Sequence, residues 1–388
     1  MPPVARRRQN AAFESTIARR QLIARKVLLN TYRVGVVGLS GISLQPADQE
    51  PFFFGGVHPH AHVACYANHP RTEIVAVCDI MPAAFERFDE LWGTLWPQVT
   101  KYTDFKEMLA NERIDLLSVV TPDHLHAGVV EVAVAAGVKA IYCEKPIATT
   151  LADADRMIEV TEAAGVPMSI NHTRRWYDVI QYARTAIRAG HFGRVTHIHA
   201  MTTGPRAMLF RNGTHLIDIA TFFADGEPVW VSGFLDPGHE AYGPVYAGDG
   251  GRDPAFDPGG SGLVRFDNGV LMSFVVSKQI EADGGGWELS IDCEHARLRI
   301  TEPGGLEVIE AARRDIGGLS RRHIDVPCYK WTDGTAAIEE LIGMIEGRAN
   351  ESQSSPREAR KTLGIILALL QSQANGNQPV IAPFTDAS

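Results

Sequence analysis

Hydrophobic and polar positions follow two different rhythms along this chain. Up to about residue 172, short apolar runs alternate with segments in which apolar residues recur at helical spacing. The runs predict strands at 32–38, 73–79, 116–120, 138–143 and 168–171, and the periodic segments predict helices at 62–68, 127–136 and 151–164. Strands that alternate with helices are typical of an α/β fold, so this half predicts a doubly wound parallel sheet.

The second rhythm begins near residue 175 and consists mainly of short β-type segments. After a helix at 180–189, strands are predicted at 195–203, 229–235, 262–266, 270–277, 287–292 and 297–301. Asp267-Asn268-Gly269 joins two of them and favours a tight hairpin, because Asn and Gly tolerate positive φ. We expect a large open, mainly antiparallel sheet with helices on one face, a long mobile loop at 236–260 and a terminal helix at 356–372.

The chain accordingly divides into three parts. We expect an arm at 1–30, a parallel-sheet domain at 31–172 and an α+β domain at 173–388, whose terminal helix (356–373) can pack back on the first domain. The arm carries seven basic residues and one acidic residue, with apolar residues at roughly helical spacing. We favour a helix that packs on its own domain or on a neighbouring subunit, and a transit peptide is the alternative.

Composition narrows the functional classes. With 388 residues the chain can bury two cores, and its formal charge of −9 argues against a nucleic-acid-binding surface. The five cysteines are scattered without CxxC or Cys/His spacing, as in proteins whose thiols stay reduced, so we expect a cytoplasmic location. No apolar run approaches the length of a membrane span, so no membrane partner is expected.

The stretch Cys143-Glu144-Lys145-Pro146 carries the strongest chemical signal. It follows an apolar run that is predicted to be a strand, and a predicted helix begins a few residues later. A lysine at the carboxyl end of a parallel strand lies at the edge where α/β sheets bind ligands, and desolvation or nearby charge can tune its pKa there. A purely structural lysine in a turn is the alternative.

A glycine-rich turn follows the first predicted strand, with the sequence Gly38-Leu39-Ser40-Gly41-Ile42-Ser43. Glycines let the backbone approach the pyrophosphate of a dinucleotide, although serines occupy two of the usual glycine positions here. The second strand ends at Asp79, where an acid binds a ribose 2′-hydroxyl and repels a 2′-phosphate. Because no lysine or arginine follows in Ile80-Met81-Pro82, NAD is favoured over NADP.

Several histidines could suggest a metal, but their spacing does not support one. His58, His60 and His62 are interpreted as part of a surface loop and the start of a helix. His124 and His126 have no matching carboxylate or third histidine, so no metal site is expected. His215 shares a predicted helix face with Ile219 and Phe222, which taken alone is more typical of a core histidine.

Taken together in chain order, these motifs resemble a known family. Thr121-Pro122-Asp123-His124-Leu125-His126, Glu144-Lys145-Pro146 and Asn212-Gly213-Thr214-His215-Leu216-Ile217-Asp218 are similar to hallmarks of the glucose–fructose oxidoreductase/inositol dehydrogenase (Gfo/Idh/MocA) family, as are 259–274 and 376–380. The resemblance runs from about residue 32 to residue 383, without the arm and the insertion at 44–59. It implies an NAD(P)-binding Rossmann domain, a substrate-binding and oligomerisation domain, and reversible hydride transfer between a nicotinamide cofactor and a secondary alcohol of a sugar, polyol or glycoside.

The resemblance also implies site residues. Lys145 and His215 would be catalytic, His215 as the acid/base and Lys145 as the group that stabilises charge on the substrate oxygen or relays the proton. The cofactor would contact Gly38, Ser40, Gly41, Ile42, Asp79, Thr121, Pro122, His124, His126, Glu144 and Lys145. The substrate would contact Asn171, Arg174, Trp176, Arg211, Asn212 and His215, and His172 and Arg175 are further candidates for the pocket wall.

One departure from the family pattern leaves part of the mechanism open. Many relatives carry an aspartate four residues before the histidine, and this chain has Arg211 there. An Asp–His relay is therefore in doubt, and Arg211 suggests an anionic or hydroxyl-rich substrate unless it faces solvent.

Three other functions remain compatible with the sequence. The protein could retain its NAD and use transient oxidation to drive elimination, hydrolysis or epimerisation. It could be a non-catalytic dinucleotide-binding regulator, or it could reduce an aldehyde, an imine or a nitrogen-containing ring. In each case we expect a homodimer or homotetramer that pairs through the open sheet. Along its hairpin the apolar residues are Val264, Phe266, Leu271, Phe274 and Val276, and we expect them to be covered either by the domain's own helices or by another subunit.

Overall fold

The computed structural model describes residues 31–39, 41–46, 59–246, 248, 257–278, 286–302, 305–313 and 318–387. The predicted arm at 1–30, Ser40, His58 and most of the insertion after the glycine turn lie outside the described residues.

The first half forms a six-stranded parallel sheet with helices between the strands. In chain order the elements are β1 (Tyr32–Val37), α1 (His62–Asn68), β2 (Thr72–Cys78), α2 (Pro82–Trp92), β3 (Thr100–Tyr102), α3 (Phe105–Asn111), β4 (Leu116–Val119), α4 (His126–Ala135), β5 (Ala140–Cys143), α5 (Leu151–Ala164) and β6 (Met168–Ile170). The strand order is β3-β2-β1-β4-β5-β6, and every pairing is parallel. The predicted doubly wound sheet is confirmed.

The pairing register brings the candidate residues to one edge of this sheet. Val37 at the end of β1 lies beside Val119 at the end of β4, which lies beside Cys143 at the end of β5. All residues of β4 and β5 are buried, as expected for strands covered on both faces. Because the strand order reverses between β1 and β4, a crevice opens at their carboxyl ends, where open α/β sheets bind ligands.

The second half forms a nine-stranded sheet. Its elements are α6 (Asp178–Arg188), β7 (Val195–Thr203), α7 (Thr214–Ala224), β8 (Pro228–Leu235), β9 (Gly260–Phe266), β10 (Leu271–Ser277), β11 (Trp287–Cys293), β12 (Ala296–Glu302), β13 (Gly305–Arg313), β14 (Gly318–Ile324), α8 (Asp333–Ile345), α9 (Pro356–Ala374) and β15 (Val380–Ile381). The order is β14-β13-β12-β11-β7-β10-β9-β8-β15. The pairing of β7 with β10 is parallel and the other described pairings are antiparallel, which confirms the mainly antiparallel prediction.

The predicted hairpin joins β9 and β10. Arg265 lies opposite Leu271, and Gly269 in the turn has φ +88°. A side chain at that φ would be strained, so glycine suits this position.

The five apolar residues expected along the hairpin divide between the two faces of the sheet, and the expected cover by the domain's own helices is confirmed for four of them. Val264, Phe266, Phe274 and Val276 are buried on the face that α7 and α9 cover. Only Leu271 of the five expected residues faces the open side, together with Met201, Phe234, Leu263 and Val275. Successive side chains of a strand point to opposite faces of the sheet, so the apolar residues of this hairpin divide between the two faces. Composition does not tell which face the helices cover.

Helix α9 connects the two halves. It packs on β8 and α7 of the second half and also contacts α5 and β6 of the first. Helix α8, which was not predicted, packs against α1 and β5. The chain thus returns to the parallel sheet after β14, and its last strand β15 then joins the edge of the second sheet beside β8. Within the described part of the chain, no helix is both long and apolar enough to cross a membrane.

Candidate active site

The glycine turn after β1 leaves room for a ligand. Gly38 has φ +93°, and a Cβ there would lie 2.3 Å from the carbonyl oxygen of Val120, so the turn passes too close to the neighbouring loop for any side chain. Gly41 has φ +55°, and a Cβ built there meets nothing within 4 Å. Ile42 is partly exposed beside it. The backbone is therefore accessible on the side where a pyrophosphate would lie.

Asp79 ties the end of β2 to this turn. Its Oδ2 accepts a hydrogen bond of 2.7 Å from the Leu39 amide, and its Oδ1 accepts one of 2.9 Å from the Met81 amide. A carboxylate has about four lone-pair sites, so two acceptor sites remain for ribose hydroxyls. Ile80 is 80% exposed and carries no charge toward this space.

The loop after β4 supplies the opposite wall of the crevice. Thr121 and Pro122 are half-buried, and His124 is exposed. The Thr121 Oγ1 atom is buried and has no hydrogen-bond partner among the described residues. An orphaned hydroxyl at a strand end is what a site for a polar ligand would present. The residues at the crevice fit a dinucleotide.

His126 is placed differently from its neighbours. It is buried, with Nδ1 3.1 Å from the carbonyl oxygen of Pro146 and Nε2 3.0 Å from that of Thr121. Its ring therefore ties the loop after β4 to the turn after β5.

Lys145 reaches across the mouth of the crevice to the second half of the chain. Its Nζ donates to the carbonyl oxygen of Arg211 at 3.3 Å, on the turn at 209–213 that leads into α7. Burial lowers the pKa of Lys145, Glu144 opposes that effect, and the Arg211 guanidinium reinforces it. A lysine with a depressed pKa can exchange a proton more readily near neutral pH.

Glu144 is a buried carboxylate beneath Lys145. Its Oε1 accepts hydrogen bonds from His62 Nε2 at 3.0 Å and from Asn171 Nδ2, and its Oε2 accepts from the Lys145 amide at 3.1 Å. Burial alone would raise the pKa of Glu144, but the hydrogen bond and charge of His62, with Lys145 and Asn171, lower it to about 2. Glu144 therefore stays ionised and fixes the turn that carries Lys145.

A second layer of polar groups supports Glu144. His62 Nδ1 lies 2.9 Å from Ser118 Oγ, which is also 2.9 Å from the Tyr66 hydroxyl, and the Tyr142 hydroxyl donates to Asn171. Burial raises the pKa of Tyr66 and Tyr142, so both remain protonated. His62 is the first residue of α1, which confirms the expected helix start, but it is wholly buried, so the expected surface location was wrong.

His215 lies near the start of α7, close enough to Lys145 for the charge of the lysine to act on it. Burial, followed by the charges of Arg174 and Lys145, lowers the pKa of His215 well below its usual range, so the imidazole is neutral at pH 7. Its Nδ1 is buried and has no hydrogen-bond partner among the described residues. Among the described residues, the groups that shift its pKa include no carboxylate.

Asp218, the last residue of the histidine motif, anchors α7 rather than reaching the pocket. It receives two hydrogen bonds from the buried Arg175, Nε to Oδ2 at 2.8 Å and Nη2 to Oδ1 at 2.9 Å. His172 Nδ1 lies 3.1 Å from Asp218 Oδ1, and burial lowers the pKa of His172 to about 4 although Asp218 opposes it. Arg175 therefore anchors α7, and the ring centre of His172 also lies 5.8 Å from that of His215.

The remaining substrate candidates separate into buried and accessible groups. Trp176 packs in the core with Tyr142 and Ala337, because the 3₁₀ turn Thr173–Trp176 directs it inward, so it does not offer a sugar-stacking surface. Asn171 is buried and engaged with Glu144. Arg174, Arg211 and Asn212 are half-buried.

The sequence did not identify three residues of this region, which are Trp287, Tyr246 and Asp257. The ring centre of Trp287 lies 5.9 Å from the Arg174 guanidinium. Tyr246 stacks on Phe210 with ring centres 3.5 Å apart, and its hydroxyl donates to Asp123 Oδ2 at 2.5 Å. Asp257 is buried beside the turn at 209–213. All three come from segments whose path across the sheet no local pattern indicates.

The described residues include no group of three or more His, Cys, Asp or Glu side chains that could hold a metal ion.

Replacing Glu144 with glutamine should change how the stability of the protein depends on pH. The pKa of Glu144 is depressed to about 2, so its stabilising contribution is complete above the unfolded value of 4.5 and is lost as the pH falls toward 2. The free energy of unfolding of wild type should therefore drop by about 2 kcal/mol more than that of Glu144→Gln between pH 5 and pH 3. Urea unfolding at both pH values measures this, and a difference that stays constant would contradict the buried network.

Comparison with known proteins agrees with this geometry. Residues 54–172 match the sequence model described as the oxidoreductase family with NAD-binding Rossmann fold, and residues 180–299 match the Gfo/Idh/MocA C-terminal domain. A D-apiose dehydrogenase of Paraburkholderia graminis is 34% identical over 184 residues, which cover 44% of this chain and 47% of that relative. The chain thus spans about half the length of that relative.

Two other comparisons extend over more of the chain. A D-apiose dehydrogenase of Rhizobium rhizogenes is 23% identical over 320 residues, 78% of this chain and 88% of the relative. The crystal structure of the WlbA dehydrogenase from Bordetella pertussis, in complex with NADH and UDP-GlcNAcA, superposes with a TM-score of 0.67 at 20% identity, covering 91% of this chain and 99% of that one. The family matches lie in both halves and together span more than half of the 388 residues. With the expected fold and motif positions, they establish that the chain belongs to the Gfo/Idh/MocA family of oxidoreductases.

Proposed function

We propose that this protein is an NAD-dependent oxidoreductase that transfers a hydride between the cofactor and a secondary alcohol of a sugar, polyol or glycoside. The observation that carries the proposal is the contact between Lys145 Nζ and the carbonyl oxygen of Arg211. It joins the mouth of the parallel sheet to the turn that leads into the helix of His215. A titratable lysine and a neutral histidine then face one space between the two domains.

The crevice residues would hold the dinucleotide. Gly38, Gly41 and Ile42 would approach the pyrophosphate together with Ser40, which lies outside the described residues, and Thr121, Pro122 and His124 would border the nicotinamide ribose. Asp79 would accept hydrogen bonds from the ribose of the adenosine half and repel a 2′-phosphate. NAD is therefore proposed over NADP, although both occur as cofactors in the family.

Side chains of the protein would bind the substrate hydroxyl and transfer its proton. When bound, NAD would accept the hydride from the alcohol carbon. Lys145 would contact the substrate oxygen and stabilise the charge that develops there, while Glu144 keeps the lysine in place. His215, neutral at pH 7, would hold the same hydroxyl or take its proton.

The substrate class is proposed from the pocket and from the relatives. Arg174, Trp287, Arg211 and Asn212 come from three different segments and offer guanidinium, indole and amide groups, which suit a hydroxyl-rich ring. Relatives that are D-apiose dehydrogenases support a sugar.

We also propose that the protein is a homodimer or homotetramer. Met201, Phe234, Leu263, Leu271 and Val275 place apolar side chains on the open face of the second sheet, where Leu263 is 44% and Phe234 54% exposed. Bare apolar patches of this kind are rare on monomers, and symmetric pairing would cover them. The five unpaired cysteines support a location in the cytoplasm.

Lys145→Ala should lower kcat by about 10²–10³-fold and change NAD affinity less than threefold, because the ammonium acts mainly on charge that develops in the transition state. The measurement is the initial rate of NADH formation with a panel of sugars and polyols, together with NAD binding by fluorescence. Lys139→Ala is the matched control, since Lys139 lies at the start of the same segment and pairs with Asp115 far from the mouth. Near wild-type turnover in Lys145→Ala would remove Lys145 from the mechanism.

The double variant Asp79→Ser/Ile80→Arg should weaken NAD and improve NADP. The carboxylate that repels a 2′-phosphate is lost, and an arginine at the 80%-exposed position 80 can reach that phosphate without disturbing the core. The ratio of kcat/KM for the two cofactors should move toward NADP by at least about tenfold, which corresponds to about 1.4 kcal/mol. A wild type that already prefers NADP would show that the role of Asp79 is misassigned.

Light scattering of the purified protein should show a mass of two or four times 42.4 kDa at micromolar concentration. Phe234→Glu/Leu263→Glu should shift the protein to smaller species, because both changes put a charge into the apolar open face. Met81→Glu is a control, since Met81 is 59% exposed but lies on the parallel-sheet half. A wild-type monomer would refute the pairing.

A further inference from the structure

The charges around His215 and Lys145 differ, and this difference bears on which group receives the proton of the substrate hydroxyl. The charged groups that act on His215 are the cations Arg174 and Lys145, besides its neighbour His172, so an imidazolium there would be destabilised. Lys145 differs, because three carboxylates raise its pKa against burial and Arg211: Glu144, Asp123 and Asp257. A proton therefore resides more favourably on Lys145 than on His215.

We propose that Asp257 is a further acid–base residue of this active site and accepts the proton that leaves the substrate hydroxyl through Lys145. This inference rests on the proposed function. Glu144 is unsuited to the task because it is held as an anion by three donors, and Asp123 is occupied by the Tyr246 hydroxyl.

The position of Asp257 supports this assignment. It is 3% exposed and lies three residues before β9, and the carbonyl oxygen of the next residue, Pro258, accepts a 2.9 Å hydrogen bond from the Leu209 amide. Its Oδ1 lies 3.4 Å from the Phe210 amide. Lys145 binds the carbonyl oxygen of the following residue, Arg211, so both side chains are attached to adjacent residues of one turn.

One oxygen of Asp257 is free to accept a proton. Oδ2 is buried and has no hydrogen-bond partner among the described residues. A buried unsatisfied carboxylate oxygen costs free energy, so an arrangement that keeps it calls for a functional explanation.

The charges around Asp257 match the role. Burial raises the pKa of Asp257 to about 6, although the Phe210 amide, Lys145, Lys278 and Arg211 oppose the shift. The carboxyl is therefore mostly ionised at pH 7 yet close to its pKa, as a proton acceptor should be. Lys278 Nζ binds the Asp257 main-chain carbonyl at 2.8 Å, which fixes the backbone and leaves Oδ2 unengaged.

The proposed step balances as follows. An N–H bond of the Lys145 ammonium breaks with its electron pair remaining on nitrogen, and the proton binds Asp257 Oδ2, directly or through one water molecule. The O–H bond of the alcohol then breaks, its proton binds the resulting amine and restores the ammonium, and the electron pair of the O–H bond forms the carbonyl as bound NAD would take the hydride from carbon. The proton on Asp257 exchanges with solvent. In the reverse reaction Asp257 returns the proton.

The first test needs neither cofactor nor turnover. Reductive methylation with ¹³C-formaldehyde labels lysines for NMR, and Lys145→Arg identifies the Lys145 signal. In wild type this signal should show a step near pH 6 that follows Asp257, besides the titration of Lys145 itself. In Asp257→Asn the step should vanish and the pKa of Lys145 should fall by about one pH unit, because a neighbouring negative charge is lost.

Asp236→Asn is the matched control. Asp236 is a buried aspartate at the other end of the same loop, where its Oδ2 accepts from Ser277 Oγ at 2.9 Å and from the Lys278 amide at 3.2 Å. This variant should leave the Lys145 titration unchanged. A Lys145 signal that is the same in wild type and Asp257→Asn would overturn the proposal.

Kinetics then separate a proton acceptor from a structural aspartate. Asp257→Asn should lower kcat about 10²-fold with little change in KM, and it should remove the acid limb near pH 6 from the pH profile. Asp257→Glu should restore that limb in part. A lower kcat with an unchanged pH profile would overturn the proposal. If wild type formed no NADH with any alcohol while the NMR coupling persisted, the proposed function would fail and the Lys145–Asp257 pair would stand.

Discussion

The ionised, buried carboxylate of Glu144 is the constraint on which the rest of the site depends. A buried charge is tolerated only when it is paired and hydrogen-bonded, and here His62, Asn171 and the Lys145 amide meet that condition. Each partner comes from a different segment, so the carboxylate fixes α1, β5 and β6 relative to one another. Lys145 is the next residue after Glu144, so this network sets the direction in which the Lys145 side chain points.

The second constraint is the contact of the two halves around α7. The buried Arg175–Asp218 ion pair holds α7 against the segment after β6, and α9 packs on both halves. His215 is therefore placed by the second sheet but faces a lysine placed by the first. The chemistry proposed here needs both, which explains why neither half contains a complete site.

The sequence predicted those parts of the fold in which burial requires a local pattern of apolar residues. The ends of β1, β2, β4 and β5 could be predicted because parallel strands are continuous apolar runs, and so the residues that follow them, Asp79 and Lys145 among them, could be placed at one edge. His62 could not be recognised as part of the Glu144 network, because its partners lie 56 and 82 positions away. Trp176 was misplaced because a 3₁₀ turn decides which way it faces, and the face on which Val264 lies is set by strand parity, which composition does not reveal. Asp257 follows a segment with no periodic pattern.

A crystal structure of the protein with bound NAD tests the central claim most directly. We expect the adenosine ribose on Asp79, the pyrophosphate at the turn that contains Gly38 and Gly41, and the nicotinamide in the space between Lys145 and His215, with the Glu144 network unchanged. A nicotinamide bound outside that space, or a Glu144 that releases His62 and Asn171 when NAD binds, would contradict it.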